Sequence, residues 1–407
     1  MEKKRTIRFF ALLYFLYIAG NSFWGYSVIY FREVGFDSSQ IGYMNAVGNF
    51  IAMVALPFMG LLSDRIRSPR TLVAIVACIS LPLHLLFPAV GFTWGAAFVP
   101  MLILCVLSVL GRQTGNSMMD SWIGGEMDRI DASFGTIRRF GSGSYVVISI
   151  FCSLMLGKVL PYWTCFLVIS IMSIPIIFLT TGKLGKEMTK AAPKEKAAGT
   201  GMVLKYVFGN YYFLGYLFMV MAFDAFLGIV NLDMSYLMDY IGAAQEEVGY
   251  VGAVRACTEI VIMILIARQK KLPPFWILLG ISGMLIAAEH LLYASVTGLW
   301  GMLAVTLCSG VAGGFFYGIG ANYVFKIVDH RASSTAMAVL GVVKSLIGIV
   351  SNAFGGEVIA NHGVIALTNG IGIAAAALTL VFLASCALGR FVLKIPYVSE
   401  VKNNQHI

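Results

Sequence analysis

An all-α membrane protein of twelve transmembrane helices, in two pseudo-symmetric six-helix bundles, is the fold this sequence predicts, and three observations carry the prediction. Hydrophobic residues make up 59% of the 407 positions and charged residues only 12%, against roughly 45–50% and about 25% in ordinary soluble domains. Apolar runs near the length of a bilayer crossing recur with short gaps between them. A single long polar gap, GKLGKEMTKAAPKEKAAGTG at 182–201, divides the runs into equal sets. A soluble chain of this length would instead split into two or three domains with polar surfaces.

Taken in order, the runs place spans near 9–30, 41–62, 71–92, 95–123, 137–157 and 161–182, then near 209–238, 247–267, 273–296, 298–326, 334–357 and 364–389. The first follows MEKKRTIR with no small-residue cleavage site ending a short apolar region, so it is expected to be retained. These spans define an N-terminal bundle over 1–182, a cytoplasmic linker over 183–203 and a C-terminal bundle over 204–407.

Orientation follows from the distribution of Lys and Arg, which is retained on the cytoplasmic side. The outer loops hold only Arg32 and Lys158, and Arg112, Arg255 and Lys344 lie within spans. Every other basic residue falls in the N-terminal segment, the linker, the C-terminal tail, or the inner loops and the span ends that border them. Both termini are therefore expected in the cytoplasm, with the chain in the inner (cytoplasmic) membrane. The net charge of +9 is explained by basic loops facing anionic lipid, and no nucleic-acid partner is needed. The seven cysteines are scattered singly through apolar segments without metal-ligand spacing, so they read as small packing residues. No metal or cofactor is expected, and a monomer is the expected state.

An ionisable group at membrane depth costs several kcal/mol by insertion scales, ~2.5–3.5 for Arg, Lys or Asp, and usually faces a bundle interior or a water-filled path. The groups inside or at the edges of spans are Arg112, Asp120, Arg138, Arg139, Asp224, Asp233, Arg255, Glu259, Glu289, His290, Lys344 and Glu357. Structural ion pairs and snorkelling account for such residues as well as a transport path does. Trp24, Tyr26 and Trp122 supply aromatic faces for a solute.

Two segments resemble a known family. GLLSDRIRSPR, at 60–70 between the second and third spans, is similar to the loop that the major facilitator superfamily carries there. The resemblance implies a gating role for Asp64 and Arg65. DSWIGGEMDRIDASFGTIRRFGSGSY, at 120–145, resembles the lactose permease and phenylpropionate permease branch, the oligosaccharide:proton symporters. Its spacing of acid, arginine and aromatic falls on Asp120, Arg138 and Tyr145, with aspartate in place of glutamate and tyrosine in place of tryptophan. The resemblance implies that the acid and the arginine hold sugar hydroxyls while the ring stacks on the sugar. A guanidinium fork that donates and a carboxylate that accepts suit that task.

In the second half the likeness runs through VGYVGAVRACTE at 248–259 and implies a buried pair between Asp224 and Lys344. The coupling region departs from the branch: CSGVAGG, with Ser309 and Ala312, stands where the histidine and glutamate of span ten would be, and Glu289 stands at an arginine position. Glu259 matches a glutamate of the phenylpropionate-type proteins. Glu259, Glu289 and Arg255 are thus the candidates for proton coupling, and a static i,i+4 pair between Arg255 and Glu259 is the competing reading.

The functional expectation is secondary active transport of a small polar organic solute, a sugar or an organic acid, by proton symport and alternating access. Proton-coupled efflux of drugs or metabolites is the alternative. An intramembrane enzyme is disfavoured because the sequence has no HExxH, GxSxG or paired-aspartate motif, and it has no GxxxxGK[ST] loop for ATP.

Overall fold

The computed structural model describes residues 2–66, 68–132, 135–187, 207–269, 271–328 and 333–397. Helix α1 (Glu2–Ser22) passes through a 3-10 turn (Phe23–Tyr26) into α2 (Ser27–Val34), and together they make the first crossing. The first half continues with α3 (Ser38–Ile66), α4 (Pro69–Trp94), α5 (Phe98–Arg129), α6 (Gly135–Met155), α7 (Thr164–Thr181) and the short α8 (Lys183–Glu187). The second half is α9 (Tyr211–Ile241), α10 (Val248–Arg268), α11 (Phe275–Leu292), α12 (Gly298–Ile327), α13 (Ser333–His362) and α14 (Val364–Ala387).

These long segments overlie the spans expected from the sequence. Among the described residues, nine are long and apolar enough to cross a membrane by composition alone. The segments α3, α6 and α9 are not among the nine; α6 carries Arg138 and Arg139, and α9 carries Asp224, Asp233 and Asp239. Asp64 and Arg65 fall in the last turn of α3, and their side chains lie outside the described part of the structure, as does the linker beyond Glu187.

Local chemistry sets the helix ends. Ser68 accepts a hydrogen bond from the Thr71 amide at 3.3 Å, and Pro69 opens α4 with its φ already helical. Asn210 accepts from the Phe213 amide at 2.9 Å ahead of α9. Gly35 (φ 109°) and Gly242 (φ 70°) close α2 and α9 in the left-handed region that a Cβ disfavours.

Three apolar cores decide the shape. One belongs to the first half alone and includes Phe10, Leu13, Met119 and Ile137. A second belongs to the second half alone and includes Phe213, Phe223, Phe316 and Phe382. The third joins the halves and draws on Phe31, Met44 and Phe166 from one and Leu237, Tyr293 and Val364 from the other. The shared core lies at the end away from the N-terminus. Glu2, Lys3 and Arg5 lie at the opposite end, where they meet Arg129, the Asp131 carbonyl and Glu187. Among the described residues the halves therefore share a core at one end and keep separate cores toward the other, a V-shaped arrangement.

At the closed end the two halves pack through α3 against α13 and α6 against α10. Ser38 donates to the Gly356 carbonyl (2.9 Å), Tyr43 donates to Glu357 (2.7 Å), and Arg32 bonds the Ser235 carbonyl (3.1 Å) and the Asp239 carboxylate. The α3–α13 approach depends on glycine. A Cβ at Gly42 would meet the Asn352 carbonyl oxygen at 2.4 Å, and one at Gly356 would meet the Ser38 carbonyl oxygen at 2.4 Å. Small residues at such crossings let membrane helices approach backbone to backbone. Gly42→Val and Gly356→Val are expected to force this end open, lengthening the distance between spin labels on Gln40 and Asn361. Unchanged label distances in both variants would show that the closed end is held by something else.

Candidate solute and coupling site

Three polar clusters lie along the inner faces of the two halves. The first is nearest the open end. Asp120 and Arg138 project from α5 and α6, are both exposed, and interact electrostatically, and the Tyr14 hydroxyl donates to Asp120. Across the gap, the Arg138 guanidinium sits over the Tyr317 ring at 5.7 Å, and Glu259 lies within electrostatic range of it. The cluster thus takes groups from both halves.

Tyr145 does not join this cluster. It lies two turns further along α6, about 10 Å at 1.5 Å per residue. There it lines a small cavity of about 40 Å³ with Gly252 and Arg255. Trp122 is also absent from the cluster, contrary to the sequence expectation. Its ring is 2% exposed and packs edge-on against Phe10 (5.1 Å) and Phe9 (6.3 Å) in the core of the first half. Two positions along a helix turn a side chain by about 200°, so Trp122 faces inward where Asp120 faces the gap.

The second cluster is buried in the second half. Glu289 is 0% exposed and accepts hydrogen bonds from Tyr293 (2.5 Å) and Ser309 (2.9 Å), and Ser309 in turn accepts from Arg255 Nε (3.2 Å). Asp233, 1% exposed, lies within electrostatic range of both Arg255 and Glu289. The sequence named Asp233 among the ionisable groups inside or at the edges of spans but not among the coupling candidates. Its burial beside the guanidinium emerges only from the packing of α9 against α10 and α11. Glu259 forms no ion pair among the described residues, so a static pair with Arg255 is not what the structure contains.

The third cluster surrounds a cavity of about 330 Å³ between the halves. Lys344 on α13 pairs with Asp224 on α9 at 3.5 Å, in ion-pair contact but outside hydrogen-bond geometry. Opposite them, the Arg112 guanidinium lies over the buried Trp24 ring at 4.6 Å. Trp24 is in the 3-10 turn that interrupts the first crossing, a break of the sort that often marks a functional hinge. Asn45, Asn49, Gln113 and Asn352 complete the polar wall. These amides are inconspicuous in the sequence, because neutral side chains stand out less among apolar residues than charged ones do.

The V-shaped helical halves and the polar cavities between them define a membrane transporter of the major facilitator type. The chain belongs to the MFS_1 like family, which it matches over residues 7–367. It is 22% identical over 326 residues to the uncharacterized transporter YwbF of Bacillus subtilis (strain 168), a match covering 77% of this chain and 75% of that one. Among solved structures, the nucleoside transporter NupG superposes with a TM-score of 0.74 at 14% identity, covering 94% of this chain and 99% of that one. A POT family transporter in complex with a thioalcohol-conjugated peptide gives a TM-score of 0.75 at 13% identity, covering 93% and 96%. A bacterial homolog of the human lysosomal transporter Spinster, in an inward-facing and unoccupied conformation, gives 0.66 at 14% identity, covering 95% and 96%. At these identities the structural likeness establishes the fold.

Proposed function

We propose that the protein is a secondary active transporter that moves a small polar organic solute, a sugar or an organic acid, across the cytoplasmic membrane by proton symport. Both termini face the cytoplasm in this reading, so the described state opens inward. The observation that carries the reading is the cavity of about 330 Å³ between the halves, walled by amides and charges and closed at one end by the shared core. Rocking of the two halves about their interface would expose that cavity to each side in turn.

Proton coupling draws its support from the buried second cluster. Arg255 contributes one positive charge, and Asp233 and Glu289 contribute two negative ones when both are ionised. A buried site favours charge balance, and a single proton shared by the two carboxyls would supply it. Asp120 and Arg138 then serve to capture the solute near the opening, with Tyr145 deeper along the same helix, and Asp64 and Arg65, in the last turn of α3, take the gating role.

Counterflow in proteoliposomes with a panel of sugars and organic acids tests the reading. Exchange of at least one panel solute without chemical modification is expected, together with acceleration of uptake by an inward proton gradient. Absence of exchange across the panel removes the transport reading, and gradient-independent uptake removes symport alone. Cysteines placed at 187–196 are expected to resist labelling from outside intact cells. Efflux of lipophilic compounds is the second reading, favoured by a largely apolar cavity of about 240 Å³ formed by the first half alone and opening past exposed residues such as Ile75, Ile79 and Leu107. Competition by lipophilic cations rather than sugars or acids would establish it.

A further inference from the structure

The cavity of the third cluster carries an imbalance that the solute itself can correct. Arg112 and Lys344 bring two positive charges to its wall and Asp224 brings one negative charge, a net of +1. Asp224 already engages Lys344, whereas Arg112 forms no ion pair among the described residues and its buried Nε has no hydrogen-bond partner. The Trp24 face holds the guanidinium at 4.6 Å but supplies no acceptor to its N–H groups. An uncompensated guanidinium at membrane depth is costly, and a mobile anion entering the cavity would offset that cost.

The rest of the wall says what else the anion carries. Gln113 Nε2 donates to Asn49 Oδ1 at 2.8 Å, which leaves the Asn49 amide donors and the Gln113 carbonyl oxygen for a ligand. Asn45 lines the same cavity without a hydrogen bond among the described residues. Amides that offer both donors and acceptors match hydroxyl groups, which do the same.

We infer that the cavity binds a hydroxylated monocarboxylate, its carboxylate on the Arg112 fork and its hydroxyls on the Asn45, Asn49 and Gln113 amides. This assignment rests on the transport reading for its physiological meaning and narrows its solute to an acid of the sugar type. A guanidinium can present two parallel N–H donors to a carboxylate, which an uncharged sugar cannot reciprocate.

The test uses the full chain in nanodiscs, with gluconate and glucuronate as probes and glucose and sorbitol as their uncharged counterparts. Equilibrium binding is expected to favour the acids by about tenfold or more, about 1.4 kcal/mol. Arg112→Gln is expected to erase that preference, and Arg112→Lys to retain part of it. Asn45→Asp, which leaves Arg112 in place and adds a negative charge to the wall, is expected to weaken acid binding independently of any folding defect at Arg112. Failure of both acids to bind, equal binding of acids and polyols, or a preference unchanged in both Arg112→Gln and Asn45→Asp overturns the assignment. Acid binding that depends on Arg112 with no counterflow in vesicles sustains the anion site and removes the transport reading instead.

Discussion

Glu289→Gln is expected to reduce solute accumulation to the level of the surrounding medium while leaving solute exchange intact. Glutamine keeps the shape of the side chain and an oxygen able to accept from Tyr293 and Ser309, which now donate at 2.5 and 2.9 Å. It cannot bind and release a proton. A carrier without its proton site still moves solute down a gradient or against labelled solute, so only the uphill step disappears. Asp233→Asn is expected to act in the same direction, because Asp233 and Glu289 share the field of Arg255 and their titration belongs to the cluster. Glu259→Gln provides the comparison, since Glu259 lies within reach of Arg138 and Arg255 without pairing with either. Accumulation equal to that of the parent in both Glu289→Gln and Asp233→Asn would dismiss the cluster as the coupling site, and loss confined to Glu259→Gln would move that role to α10.

Arg138→Lys and Asp120→Asn are each expected to weaken solute binding by about 10- to 100-fold, the range that loss of one charge-assisted hydrogen-bonding arrangement of ~1.5–3 kcal/mol corresponds to. Lysine keeps the charge of Arg138 but loses the planar fork and its stacking over Tyr317, now 5.7 Å away. Asparagine keeps an acceptor at Asp120 for the Tyr14 hydroxyl but removes the charge that faces Arg138. Equilibrium binding with the solute found by counterflow measures both. If each variant binds as the parent does, the open-end cluster is not a solute contact and its residues hold the two halves instead. Trp122→Phe is not expected to alter affinity, because that ring packs against Phe9 and Phe10.

The fold was legible in the sequence because a bilayer restricts a spanning chain to few solutions. Backbone groups must bond internally in lipid, so apolar runs of sufficient length become helices and the polar gaps between them become loops. The same cost of burying charge makes the ionisable residues of the candidate site conspicuous in the sequence, Asp120, Arg138, Asp224, Lys344, Arg255 and Glu289 among them. Their grouping was not legible. The family resemblance placed Tyr145 with Arg138, yet two helical turns separate their levels, and spacing along α5 could not reveal that Trp122 faces the opposite way from Asp120.

The sequence by itself determined that this chain spans a membrane in two helical sets and which charges it carries to membrane depth, because hydropathy and charge are local properties priced against lipid residue by residue. Only the tertiary structure decided which end of the molecule is closed, through one core shared between the halves and two that are not. Only it brought Asp233 to Arg255 and set Arg112 across a cavity from Lys344. Those relations depend on how helices far apart in sequence rotate and cross, and crossing is fixed by contacts such as Gly42 against Asn352 and Gly356 against Ser38 that no single span encodes.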